Sequence, residues 1–194
     1  MYFTIPPPPR YGQSILDYGC GIGMNIPYLR QYFPAAKLFG CDVSKESIRL
    51  AKSQIDYCQF DVIETPKDIK MYENKIDCVF ISTVLHHIEP NEHKVWLKAL
   101  YDAMKEGSYM VIFEHNIFNP LTRRFVEKIP MDKDATMLKA GYCKKMVQEI
   151  FGRGNEVKLR YTYFFPWRNK IFTTIEHSIA WLPLGAQYYV AARK

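Results

Sequence analysis

The chain has 194 residues, 48% of them hydrophobic, which suits one ordinary domain around a single sizeable core. Its 26 Lys and Arg against 20 Asp and Glu leave a net charge of +6, but the basic residues fall in pairs such as Arg123-Arg124 and Lys144-Lys145, a pattern of solvated surface that argues against a nucleic-acid partner. Five cysteines, Cys20, Cys41, Cys58, Cys78 and Cys143, are odd in number and form no C-x-x-C pair, which excludes a disulfide framework and a metal site and fits a reducing, cytoplasmic setting.

Short apolar runs suited to buried strands occur at 14–18, 37–43, 55–62, 76–83 and 109–115, each followed by a stretch better suited to helix. The first helix is expected over 24–31. Ser44 stands where the N-cap of the second should be, with Glu46 in the first turn ahead of Ile48 and Ala51. From Asn91 to Met104, Trp96, Leu100 and Ala103 lie beside Leu97, Tyr101 and Met104 at helical spacing, and Gly107 is expected to end that helix. A further helix is expected from Asp134, with Leu138, Tyr142, Met146 and Ile150 beside Cys143, Val147 and Phe151, stopped by Gly152. Runs at 159–165 and 187–192, rich in Tyr and Phe, complete seven strands.

The start, Met1 to Arg10, carries four consecutive prolines and no apolar core of a secretory signal. The apolar stretch from Ile171 to Ala192 is broken by Glu176, His177, Pro183 and Gly185, so no membrane span is expected. The fold class is therefore α/β, a mostly parallel sheet with helices on both faces and right-handed crossovers. Ligands of such sheets bind at the carboxyl ends of the strands, and that edge is where the polar and glycine signals fall.

The first strand runs Ile15-Leu16-Asp17-Tyr18 into Gly19-Cys20-Gly21-Ile22-Gly23. Glycines admit a ligand close to the backbone, and the following helix start offers unpaired N–H groups. A dinucleotide fingerprint would need glycine where Met24 stands, which disfavours a nicotinamide cofactor. The pattern D-x-G-x-G-x-G instead resembles motif I of the Rossmann-like, class I methyltransferases that use S-adenosylmethionine, and the likeness runs from about Ser14 to the end of the chain.

That resemblance implies one methyltransferase domain over residues 1–194, whose seven-stranded sheet carries a C-terminal antiparallel strand. Only 13 residues precede the first strand, so the lid that relatives place there is expected to be short or missing. It further implies that Asp17, Gly19, Cys20, Gly21 and Gly23 line the methionine end of the cofactor. Asp42, with Val43 beside it, would accept hydrogen bonds from both ribose hydroxyls, two acceptor oxygens meeting two donors. Asp61 and the Val62 amide would meet the adenine, and Ser82 and Thr83 would lie beneath the methionine moiety.

Methyl transfer from a sulfonium needs alignment and exclusion of water, and a base only if the nucleophile must lose a proton. His115, His86 and His87 are the candidate bases, because their unperturbed pKa of about 6.5 suits proton transfer near neutrality. After the fifth strand comes a long polar segment, Glu114-His115-Asn116-Ile117-Phe118-Asn119-Pro120-Leu121-Thr122-Arg123-Arg124, in which Asn116 and Arg123 are candidate acceptor-binding groups. Together with Pro183 to Tyr188 it looks like a bacterial subgroup of the family that methylates small metabolites or glycan precursors, which points to a small, anionic or sugar-like acceptor. Nucleic-acid methylation and cofactor binding without transfer stand as alternatives. Against the former, Ser82-Thr83-Val84-Leu85 lacks the Asn/Asp-Pro-Pro-aromatic pattern of enzymes that methylate base amino groups.

Overall fold

A computed structural model describes residues 12–129, 135–166 and 170–194. The elements are β1 Ser14–Tyr18, α1 Ile26–Tyr32, β2 Lys37–Asp42, α2 Lys45–Gln54, β3 Cys58–Val62, β4 Ile76–Ser82, α3 His93–Ala103 and β5 Met104–His115. Then follow α4 Pro120–Val126, α5 Ala140–Phe151, β6 Val157–Thr162, α6 Lys170–Ile179 and β7 Gln187–Arg193. Two 3₁₀ segments, Pro66–Tyr72 and Leu85–His87, precede and follow β4.

One seven-stranded sheet runs in the order β3-β2-β1-β4-β5-β7-β6. The first five strands are parallel, and β7 is antiparallel to both β5 and β6. This is the expected Rossmann-like arrangement. Alternation along each strand splits the core between the two faces. Leu16, Val79, Ile81 and Ile112 meet Trp96, Leu97 and Leu100 of α3 and Met146 and Val147 of α5. Ile15, Leu38, Phe80 and Val111 meet Ile26 and Leu29 of α1 and Ile48 and Ala51 of α2.

The order reverses direction between β1 and β4, because the chain travels outward from β1 through β2 to β3 and then crosses back. The turns leaving β1 and β4 therefore lie side by side, with Tyr18 in register with Ile81. A crevice at such a switch point is where open α/β sheets take ligands.

Several boundaries differ from expectation for identifiable reasons. Gly107 does not end a helix: α3 stops at Ala103, and β5 begins at Met104 with a register shift against β4 between Ile76 and Cys78. Gly107 takes a positive φ of 77° inside that irregular start, with its amide donating to Lys194. Ile55, expected to open the third strand, is the C-cap of α2. Tyr163, at φ 59°, turns the chain out of β6 earlier than expected. The proposed helix start at Asp134 lies outside the described residues; α5 itself begins at Ala140, and Leu138 is buried ahead of it.

Candidate functional site

The turn after β1 is built by backbone. Gly19 and Cys20 both donate to the Cys41 carbonyl, at 2.8 and 3.0 Å, which fastens the turn to the end of β2. Gly19 must be glycine twice over: its φ is 71°, and a Cβ there would stand 2.4 Å from Cγ2 of Val84, in the turn after β4. Gly23 also has positive φ, and a Cβ would press on Ile55 and Phe60. Gly21 is different. At φ 52° its Cβ would meet nothing within 4 Å, so protein packing leaves open space over that one residue.

Asp42 ends β2 beside this turn. Its Oδ2 accepts from the Gly21 amide at 2.8 Å and its Oδ1 from the Ser44 amide at 2.9 Å. Each carboxylate oxygen keeps a second acceptor position. Ser44 in turn caps α2 by accepting from the Ser47 amide at 3.1 Å, as its place in the sequence suggested. Val43, exposed, follows Asp42 directly. On β3, Oδ2 of Asp61 accepts from the Tyr72 hydroxyl at 2.7 Å and from the Gln59 side chain at 2.8 Å. Tyr72 is a buried partner that sequence reasoning missed, since it reaches Asp61 only through the 3₁₀ segment between β3 and β4.

Asp17 and Cys20 occupy the floor. Asp17 is fully buried on the side of the sheet that carries Ile15, and neither carboxyl oxygen makes a hydrogen bond of good geometry. Burial pushes its pKa up to about 8; the nearby Asn25 amide offsets this in part, and Asp42 adds to it. The Cys20 side chain is buried, turned toward Gly40, so only its backbone faces the crevice edge.

Across the crevice, β4 ends in Ser82 and Thr83. Thr83 holds a left-handed φ of 54°, costly for a β-branched residue. Its amide donates to the Phe113 carbonyl of β5 at 2.8 Å and its hydroxyl to Ser82. Buried Glu114 clamps the next turn: Oε1 accepts from the amides of Leu85 at 2.8 Å and Val84 at 3.2 Å, while Oε2 meets Nδ1 of His86 at 2.6 Å. That contact puts the Nδ1 proton between ring and carboxyl. From the other side buried His93, at the start of α3, sets Nε2 2.8 Å from the Leu85 carbonyl and 2.9 Å from that of Ile88.

The three candidate histidines do gather. The His86 ring centroid lies 4.1 Å from that of His87 and 5.5 Å from that of His115. They are not equivalent. His86 is buried, with its Nδ1 held against Glu114. His87 is exposed, and His115 is half-buried at the wall of a cleft of about 490 Å³. Ile117, Thr122, Arg123, Val126, Glu127, Ala135 and Met137 complete that wall. A volume of this size suits a small molecule.

The segment after β5, expected as a loop, is mostly helix. Asn119 caps α4 by accepting from the amides of Leu121 and Thr122, with Pro120 opening the first turn. Asn116 is not available to an acceptor. It is buried; its amide donates to the carbonyls of Pro183 at 3.0 Å and Gly185 at 2.8 Å, and its Oδ1 accepts from Phe118. Arg123 does face the cleft, with Nε 3.2 Å from Glu127 in an exposed pair that ties up one of its five donors. Among the described residues no cluster of His, Cys, Asp and Glu is arranged to hold a metal ion.

Comparison with known proteins agrees with this geometry. Residues 15–107 match a family model described as a methyltransferase domain. A tRNA N(3)-methylcytidine methyltransferase of Drosophila melanogaster is 30% identical over 162 residues, 79% of this chain and 44% of that protein. A trans-aconitate 2-methyltransferase of Escherichia coli is 27% identical over 110 residues, 56% of this chain and 42% of that one. The chain thus spans less than half the length of either relative. Among solved structures, an S-adenosylmethionine-dependent methyltransferase from Archaeoglobus fulgidus superposes with a TM-score of 0.70 at 18% identity, covering 94% of this chain and 86% of that one.

Two tests address the site's construction. Glu114→Ala strands two backbone amides and the His86 ring without their acceptor; at about 1–3 kcal/mol for each buried donor, the loss in urea unfolding is expected to reach about 3 kcal/mol. The raised pKa of Asp17 means that the native state holds a proton the unfolded chain releases above the ordinary aspartate value of 3.8. Stability of the ligand-free protein should therefore fall as pH rises from 4 toward 8 through this group, and Asp17→Asn should flatten that slope. An unchanged slope in urea titrations across this range would show that Asp17 ionises normally.

Proposed function

We propose that this class I S-adenosylmethionine-dependent methyltransferase carries a methyl group to a small, anionic acceptor seated between His115 and Arg123. The observation that carries the reading is the presence of two sites along the carboxyl edge of the sheet: open space over Gly21 beside the Asp42 carboxylate, after β1 and β2, and a cleft walled by His115 and Arg123, after β5. In this reading the 194 residues act as one domain around one sheet.

The residues fit the cofactor. Open space where Gly21 lacks a side chain admits a ligand against its backbone, and the buried Asp17, with only the Asn25 amide near its carboxyl, suits a positively charged group. Gly19, Cys20, Gly21 and Gly23 would hold the methionine end through backbone atoms, with Ser82 and the strained Thr83 opposite. Asp42 would take the ribose diol with Val43 against it, and Asp61, steadied by Tyr72, would take the adenine amino group beside the Val62 amide. S-adenosylmethionine, when bound, supplies a methyl group on a cationic sulfur.

The chain's own work is then alignment and proton removal. His115 is the base, because it lines the cleft, while His86 is held behind it by Glu114. Arg123 offers its remaining donors to a carboxylate or phosphate, as a metabolite or sugar-phosphate acceptor would carry. The Escherichia coli relative, named for trans-aconitate, supports an anionic acceptor. A nucleic-acid acceptor is the second reading, favoured by the Drosophila relative and the net charge of +6.

Calorimetry is expected to show binding of S-adenosylmethionine and S-adenosylhomocysteine and none of NAD; NAD binding with no heat from the sulfur compounds would overturn the reading. Asp42→Asn, which keeps an acceptor oxygen for only one of the Gly21 and Ser44 amides, should weaken that binding by about 1.5–3 kcal/mol.

Incubation with labelled S-adenosylmethionine and separated metabolite, glycan and tRNA fractions identifies the acceptor; label in tRNA alone favours the second reading. With the acceptor in hand, His115→Ala should lower kcat by about 10²–10⁴-fold at nearly constant cofactor affinity. Arg123→Ala should mainly raise KM. Full activity in His115→Ala would remove it as the base.

A further inference from the structure

Helix α4 buries Thr122 and Val126 and yet carries a second apolar flank. At about 100° per residue, Leu121 and Phe125 adjoin the buried face but stay 64% and 70% exposed. Arg124 and, just past the helix end, Lys128 form the ridge opposite the buried face, and Arg123 and Glu127 lie on the remaining flank, at the cleft. The apolar flank extends beyond the helix. Phe118 is 59% exposed, and Leu184, 62% exposed, is drawn alongside by the Asn119 amide, which donates to its carbonyl at 2.7 Å. Trp181, in the same turn, is also exposed. Exposed clusters of this kind, rimmed by charge, mark contact surfaces.

We propose that α4, Phe118 and the turn at 181–184 seat on an anionic lipid bilayer, the apolar side chains entering the acyl boundary and Arg124 and Lys128 meeting headgroups. Charge complementarity selects this occupant: both residues of the ridge are cations, and the whole chain is at +6. A second copy of the chain, related by a twofold axis, would set cation against cation. A base-stacking surface would call for aromatic rings spaced along a cationic groove, whereas the aliphatic Leu121 and Leu184 are two of the five apolar side chains of this patch. The contact is peripheral, since no helix among the described residues is long and apolar enough to cross a membrane. If the cleft is the acceptor site, as proposed above, its acceptor is then presented at the bilayer; the docking itself does not need that reading.

Sedimentation of the 194-residue chain with vesicles tests the surface directly. Vesicles containing phosphatidylglycerol should bind at least ten-fold more tightly than phosphatidylcholine alone. Arg124→Ala and Lys128→Ala should each weaken binding by about five-fold, and Leu121→Asp with Phe125→Asp should abolish it. All four side chains are exposed, so thermal melting and the heat of S-adenosylmethionine binding should not change. Absence of vesicle binding, or binding indifferent to Leu121→Asp with Phe125→Asp, overturns the proposal. So does a patch-dependent dimer in sedimentation velocity, or patch-dependent binding of an RNA oligonucleotide without vesicle binding. Failure of cofactor binding in the parent chain would count against the proposed function and leave the vesicle result standing.

Discussion

Everything at the ligand edge depends on how closely the turns leaving β1 and β4 pass each other. The contact between Gly19 and Val84 has no room for a methyl group, so neither turn can shift without moving the other. Each is then fixed to its outer neighbour: the first to Cys41 of β2, the second to Glu114 of β5. Four strand ends are thereby locked into one rigid rim. A rim of that kind can hold Thr83 in a left-handed conformation that an isolated turn would relax.

Much of this was legible in the sequence, and the reason is burial. Parallel strands covered on both faces read as uninterrupted apolar runs, so 14–18 and the centres of the other strands could be found without knowing their partners. The glycines of the first turn were legible too, because a positive φ at all three favours glycine, and Asp42 and Asp61 were legible as polar residues closing apolar runs. What failed to show was whatever depends on a partner distant in sequence. Gly107 carries the same local signal at a helix end and at a strand irregularity, and only pairing with β4 and Lys194 decides between them. Asn116 reads as a polar loop residue until the chain returns 67 residues later and places the Pro183 carbonyl against it. His93 looks like an ordinary first-turn residue; its burial follows from the fold of the turn at 85–88.

The same distinction separates the histidines. His86, His87 and His115 are alike as letters, yet the geometry divides them into a buried strut, an exposed ring and a cleft wall. Glu114 makes the division. A carboxylate that must satisfy two backbone amides has its position dictated by the main chain, and the histidine bonded to its other oxygen inherits that position. His115, the next residue along β5, alternates to the opposite side of the strand from Glu114, which leaves it for the cleft.

In the proposed reading, cofactor and acceptor sides are also written in different parts of the chain. The family match ends at residue 107, while the cleft is built from residues 115 to 137. That second part has its own internal lacing: Asn116, Asn119 and Thr122 each bond to carbonyls between Pro183 and Ala186, so α4 and the approach to β7 form one mechanical unit. Gly185 is the tightest point, with no space for a Cβ beside the Thr162 backbone. In the proposed reading, a change of acceptor therefore calls for replacing residues 116–126 and 183–186 together. Removing the Asn116 side chain would leave the Gly185 carbonyl unpaired next to the end of β5, which carries the Glu114 clamp on the turn after β4.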